Sequence, residues 1–458
     1  MKKVIFIFLI CFLLVPFAGE AKVYLHTSKK TIIKDNKVKV YGYVKPREKG
    51  VKVKIFRKYQ KKYKYIKTKK INKKGKFSFY TRPSQTAFFR AKTKDQDKWE
   101  WGNKKKRVKV RLYPKCGDDY TWYSNSILDN DDYIAITPLG AMNPTGHVFP
   151  TDHMYYYLTE GMTKVPIYAP GDIWLETIST SEHLSADPVF TDYDIEFRSC
   201  AKFHGFMGHI SGISEAMQDA WNKGVQDYEC FSYEAGGEEY ERCSRTVRKK
   251  LMAGDEIGTA GGNTGQGALD WGTYDTRVAV TGVANESRWY DSRLYNVCPL
   301  DYYPADLKDY FYSLLGNGTV SRVGEPLCGT IKQDVAGTAQ GRWFLPDTPE
   351  GQNWQEDHQI ALVHNDTDYT MGEFSVGDST SSLSSGTYNF TPTDSGFVNR
   401  DFDQVTSDGN IYCYDTDQGE TILVQMTSDD GLRVEAQSLG SCGSGPWSFT
   451  NDYTDFIR

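Results

Sequence analysis

Three segments between Gly146 and Asp275 decide how this chain is read: GHVFPTDHMYYYL (146–158) followed by VPIYAPGDI (165–173), then FHGFMGHIS (203–211), then MAGDEIGTAGGNTGQGALDWGTYD (252–275). VPIYAPGDI alternates small and branched apolar residues and meets a turn at Pro170-Gly171, the pattern of a strand entering a hairpin. MAGDEIGTAGG reads as a strand between two glycine turns, and GALDWGTYD as a strand with polar residues at alternate positions. Alternate residues of a strand face opposite ways, so the pattern predicts an antiparallel sheet with histidines and aspartates projecting from one face.

The order of these segments resembles the lysostaphin-type zinc endopeptidases, which cut peptidoglycan cross-bridges. The family's frame is a first motif His-x-x-x-Asp, a strand like "PVYAP", a Tyr-x-His segment, and a Gly-rich turn leading to His-x-His. His153 falls on the first-motif histidine, ahead of Pro166-Ile167-Tyr168-Ala169-Pro170. His209 falls on the histidine of Tyr-x-His, and Gly254-Asp255-Glu256-Ile257-Gly258 with Gly262-Asn263-Thr264-Gly265 falls on the Gly-rich turn. About 130 of the 458 residues are covered by the resemblance.

The chain departs from the family at three positions that matter. The first-motif aspartate falls on Tyr157, and His-x-His falls on Ala268-Leu269-Asp270. The resemblance implies zinc on the first-motif His and Asp and on the second His of His-x-His. Carried over residue by residue, it leaves His153 as a ligand, Asp270 as an oxygen substitute and His209 as a catalytic histidine. A catalytic zinc takes three protein ligands and an open position, so a third donor is needed, and His147 or Asp152 is the nearest in sequence. Neighbouring strand residues face opposite ways, so Asp152 and His153 reach one metal only through a bulge.

Outside this stretch, charge divides the chain. From Ala21 to Lys115 there are 34 Lys plus Arg against 5 Asp plus Glu, a net charge of about +29, although the whole chain carries only -4. Residues 116–458 hold 19 basic and 53 acidic residues, about -34. A boundary near residue 115 follows. Residues 1–21 carry Lys2-Lys3, an apolar run from Val4 to Phe17 and small residues before Lys22, the pattern of a secretory signal. Nine cysteines less Cys11 leave eight, an even number suited to disulfides in an exported protein, with Cys230–Cys243 and Cys413–Cys442 the preferred pairs.

The expected architecture is mostly β: a signal peptide (1–21), a basic immunoglobulin-like β-sandwich (22–115), an antiparallel-sheet peptidase-like domain (116–330) and a C-terminal all-β sandwich or barrel (331–458). In the basic segment, KVKVYGYVKP, GVKVKIFRKY, YKYIKTKKI, GKFSFYTRP and AFFRAKTK alternate apolar residues with Lys or Arg. The segment is similar to bacterial immunoglobulin-like and carboxypeptidase-regulatory-like modules. Its charge suits an anionic envelope polymer or membrane surface, and no specific nucleic-acid motif is present. Ile213, Met217 and Trp221 predict a helix opening an insertion in the central domain, YPADLKDYFYSLLGNG a second helix ended by Gly316, and RVAVTGVANESRWYD after Asp275 a continuing strand. His358 and His364 are expected at the surface.

Two functions fit these residues. One is an exported envelope protein whose peptidase-like domain has lost part of its hydrolytic set and serves as a binding or adaptor module for peptidoglycan peptides. The other is an active zinc-dependent endopeptidase with metal on His153, Asp270 and one of His147 or Asp152, and His209 polarising the carbonyl or stabilising the oxyanion.

Overall fold

The computed structural model describes residues 21–34, 36–46, 50–95, 98–102, 104–118, 120–226, 229–235, 238–263, 267–290, 292–350 and 356–458. Most of the signal-like leader, Cys11 included, and Thr264 and Gly265 of the Gly-rich turn lie outside these residues. The protein is mostly β, and its strands pair antiparallel except for Thr31–Ile33 with Lys106–Arg111. Contacts divide the chain into two compact units, Met1–Pro114 and Lys115–Arg458, at the point where the charge changes sign.

The first unit stacks a three-stranded sheet (Lys22–Thr27, Val38–Lys45, Lys76–Thr81) on a six-stranded one. Apolar residues at every second position meet between the sheets: Val38, Val40 and Val44 from one, Val53, Ile55, Phe89 and Val108 from the other. The lysines between them face water, as a period-2 pattern demands.

The second unit is organised by a twelve-stranded sheet. Its main path runs Tyr133–Thr137, Met154–Leu158, Ala268–Asp275, Phe203–Ile213, Phe190–Cys200, Ile173–His183, Glu238–Leu251 and Val225–Gln226. Val165–Tyr168 pairs with Glu256–Ala260, which in turn joins the edge of Phe203–Ile213. One face of the sheet is apolar, with Ile195, Phe197, Phe203, Met207, Leu269 and Trp271 wholly buried. The predicted helix is Glu215–Lys223, capped by Ser214, whose hydroxyl accepts from the Met217 N–H, and it buries Met217 and Ala220. The second helix spans Ala305–Tyr312.

The expected strand after Asp275 is absent. Arg277 folds back on Asp275, donating its backbone N–H and its guanidinium to the carboxylate, and this ends the strand.

The C-terminal part is a sandwich, not a barrel: two four-stranded sheets share Trp343, Leu362, Phe374, Phe390, Tyr414, Val424 and Leu432. It packs on the central part through Val148, Phe149, Phe344, Ala361 and Val363. His358 is exposed as expected. His364 is not: it lies on Tyr369 with its Nε2 3.4 Å from Asp401. Four disulfides close the second unit, Cys116–Cys200, Cys230–Cys243, Cys298–Cys328 and Cys413–Cys442. Among the described residues no helix is long and apolar enough to cross a membrane.

Glu373 is the one carboxyl in this sandwich that burial, with Asp366 adding repulsion, pushes up to about 8 from 4.5, against the pull of an Asn365 hydrogen bond. Below pH 4.5 the group is protonated both folded and unfolded. As pH rises toward 8 the unfolded chain releases the proton and the folded chain retains it, so stability is lost across that window. Thermal melting from pH 5 to 9 should show this decline in the wild type, and Glu373→Gln should flatten it.

Candidate functional site

The apolar face of the central sheet is core, and the opposite face carries the polar residues of the three diagnostic segments. Within the strand Ala268–Asp275, Leu269 and Trp271 point into the core while Asp270, Gly272 and Tyr274 occupy the other face. In register, Asp270 lies opposite Tyr155 on one side and Gly208 on the other. Its neighbours therefore come from both flanking strands.

His153 ends the segment leading into Met154–Leu158, and its Nε2 lies 3.3 Å from Asp270 Oδ2. The Nε2 of His209 lies 3.5 Å from the same oxygen. Each imidazole is held from behind by its own carboxylate: His153 Nδ1 is 3.2 Å from Asp152 Oδ1, and His209 Nδ1 is 2.9 Å from Asp192 Oδ2. Asp152 is itself anchored, accepting from the Tyr274 hydroxyl at 2.7 Å and the Arg293 Nε at 3.1 Å. Two glycines make the room. A Cβ on Gly272 would meet Phe206 at 2.3 Å and the Asp152 carbonyl at 2.9 Å, and one on Gly208 would meet Asp194 Oδ1 at 3.0 Å.

The aim of His209 depends on its backbone. Gly208 pairs with Asp270 on the site face, so simple alternation would send residue 209 into the core. A register shift on both sides of the strand and a left-handed φ of 57° at His209 reverse this, turning its ring onto the site face while Ile210 enters the core. His209 is the open side of the cluster, its side chain 45% exposed, against 9% for His153 and 10% for Asp270.

Burial and charge act in opposite directions here. Burial alone would lower both imidazoles, yet His153 is raised by Asp270 and Asp152, and His209 is raised to about 9 by its Asp192 hydrogen bond and by Asp270. Asp270 is raised by burial, against the pull of the two histidines. Asp152 is held well below the usual carboxylate range, because Arg293 and His153 outweigh its burial. His147, its ring 5.6 Å from His153, is lowered to about 4 by burial and by that neighbour, and so is neutral.

The structure thus brings His147, Asp152, His153, His209 and Asp270 into one cluster, with roles distributed unevenly. Asp152 stands behind His153, with Oδ1 on the imidazole and Oδ2 on Tyr274 and Arg293, rather than beside Asp270. His153 Nε2 and Asp270 Oδ1 are buried and lack a hydrogen-bond partner among the described residues. Asp192, Tyr274 and Arg293 were not singled out from the sequence. Asp192 carries a faint signal in the alternation of TDYDIEF, and Arg293 has none, since it arrives from a loop 141 residues away from Asp152.

A divalent ion is a test of this donor set. Tetrahedral zinc with nitrogen and oxygen ligands at about 2.0–2.1 Å separates them by about 3.3 Å, close to the two contacts on Asp270. The third edge is wider: among the described residues, the only His, Cys, Asp and Glu trio with ligand atoms within 4.8 Å of one another is Cys230, Glu241 and Cys243, whose sulfurs are joined in a disulfide. The donor types are those a zinc ion takes, but the two imidazole nitrogens stand more than 4.8 Å apart, wider than a tetrahedral edge. No protein-family model matches the chain, and no curated protein is found as a relative.

His209 offers a direct check on its backbone. Asn tolerates the left-handed region and a β-branched residue does not. His209→Asn and His209→Val both remove the imidazole, so by chemical denaturation His209→Val should therefore lie about 1–3 kcal/mol below His209→Asn. Equal midpoints for the two variants would refute a strained His209.

Proposed function

We propose that the central domain is a single-metal hydrolase of envelope peptides, with zinc held by His153, His209 and Asp270. One observation carries this reading: two imidazoles, each fixed at Nδ1 by a dedicated aspartate, turn their inner nitrogens onto one shared carboxylate. Metal-ligating histidines almost always carry such a carboxylate or carbonyl on the outer nitrogen, which sets the tautomer and the ring angle. A zinc ion in this position would polarise a peptide carbonyl and lower the pKa of a bound water.

The residues of the chain supply the rest. Asp152 and Asp192 orient the rings, Arg293 and Tyr274 hold Asp152, and neutral His147 stands beside His153 as a proton acceptor. The exposed edge at His209 is where a substrate would enter. In this assignment His209 is a ligand rather than the catalytic histidine that the family frame implies, and Asp152 is a positioning residue rather than a third donor.

Two of the three departures from the lysostaphin-type frame, at Tyr157 and Ala268, lie side by side. Tyr157 and Ala268 are direct cross-strand partners, two residues along the same two strands from the Tyr155–Asp270 pair. A ligand and a catalytic histidine are lost together there, and the surviving donors gather around Asp270. The frame is what points to peptidoglycan peptides as substrate. The leader-like first residues and four disulfides support export, and the charge of about +29 on residues 21–115 supports attachment to an anionic envelope polymer.

One observation favours the second reading, a metal-free binding module: the three donors do not close to within 4.8 Å. Metal content separates the two. Full-length protein dialysed against trace zinc should hold about one zinc per chain by elemental mass spectrometry, and His153→Ala and Asp270→Ala should each hold almost none. Zinc-free wild type that also releases no peptide from purified cell walls would establish the binder instead.

Asp152→Asn provides a graded test. It retains the shape behind His153 but removes the charge, and zinc affinity should fall about 10- to 100-fold while the fold persists. Unchanged affinity would remove Asp152 from the site.

A further inference from the structure

The basic unit contains a cleft of about 540 Å³ lined by Lys39, Lys69, Lys70 and Lys76, together with Tyr41, Asn72 and Ser78. Its size lies within the range of small-ligand sites, roughly 300–1,000 Å³. The four ammonium groups come from three strands, Val38–Lys45, Lys64–Lys70 and Lys76–Thr81, so the sandwich and not one sequence run gathers them. Among the described residues no Asp or Glu lines the cleft and none of its four lysines makes an ion pair. The rim is fixed: the Asn72 side chain accepts the N–H groups of Lys74 and Lys76, and Gly75 closes the turn at a φ of 72°. Like charges held together without a counter-ion cost stability, which a bound anion would relieve.

We propose that this cleft binds the acid group of an anionic saccharide, with the sugar ring lying over the exposed Tyr41 edge. The proposal rests on the reading that the basic unit takes up an anionic polymer, and it places the contact. Lysines supply point charges rather than the planar fork of arginine, so the cleft recognises charge and leaves shape to the hydroxyl and amide groups of Tyr41, Ser78 and Asn72. Single-stranded nucleic acid fits less well, because it needs open ring faces for successive bases. On this sheet Tyr24 stacks on Tyr43 at 4.8 Å and His26 on Tyr41 at 5.5 Å, and the exposed Tyr80, opposite Lys39, is a single ring rather than a run of them. A lipid surface is flat, whereas these lysines surround a concavity.

Full-length protein should bind a hexagalacturonate probe in a titration at low salt, with affinity falling as salt rises. Lys39→Gln with Lys76→Gln should weaken binding about 10-fold. Lys104→Gln with Lys109→Gln, which removes the same charge from exposed positions outside the cleft, should change it less than about 2-fold, and both variants should melt like the wild type. Equal losses in the two double variants would overturn the cleft while leaving the basic unit as a general polyanion binder. Absence of binding in the wild type would overturn both. Equal affinity for neutral dextran would exclude recognition of the acid group, and tighter binding of oligo-dT or of anionic phospholipid vesicles would reassign the cleft to nucleic acid or membrane.

Discussion

A single buried carboxylate, Asp270, organises the central sheet around itself. It stands between two imidazoles, 3.3 Å from one and 3.5 Å from the other, and is pushed toward the neutral form by burial while those cations pull it back. A carboxylate so placed is tolerable only with partners of opposite charge, and each partner in turn needs an anion behind it. Asp152 and Asp192 meet that need. The alternation of acid and imidazole across three strands and the segment leading into a fourth is thus one connected solution to the problem of burying charge, and removing any member leaves a neighbour unpaired.

That network extends beyond the sheet. Arg293 holds Asp152 from a loop, and Glu356, from the start of the C-terminal sandwich, accepts the Phe149 N–H at 3.1 Å beside the entry to the His153 segment. Arg342 lies nearby over Trp289 at 3.4 Å and Phe149 at 4.9 Å, its pKa lowered to about 10 by burial. The C-terminal sandwich therefore does more than follow the central domain in sequence. It supplies packing and charge against the segment that carries His147, Asp152 and His153, and it shares one compact unit with the sheet.

Much of the fold was legible because period-2 alternation is a local signal. The five alternating stretches of the basic segment form strands where the alternation places them. The expectation failed where a side chain acted on its own backbone. RVAVTGV has the composition of a strand, but Arg277 turns back onto Asp275 and ends the pairing. His364 was read as a surface residue because it closes an apolar strand, and only the fold shows Tyr369 and Asp401 covering it. Within the site, the cluster of His153, His209 and Asp270 followed from segment order, whereas Asp192 and Arg293 had no spacing that tied them to it.

By itself the sequence determined the division of charge, the β character of every part, the even set of eight cysteines after Cys11, and the short set of polar residues able to meet on one sheet. It did so because alternation, turn residues and charge are properties of near neighbours. Only the tertiary structure decided which way each of those residues faces. A bulge and a left-handed φ at one position turned His209 out of the core, Arg293 drew Asp152 behind His153, and the register of two strands placed Tyr157 against Ala268. Each of these depends on a partner far along the chain, and no local pattern encodes a contact of that kind.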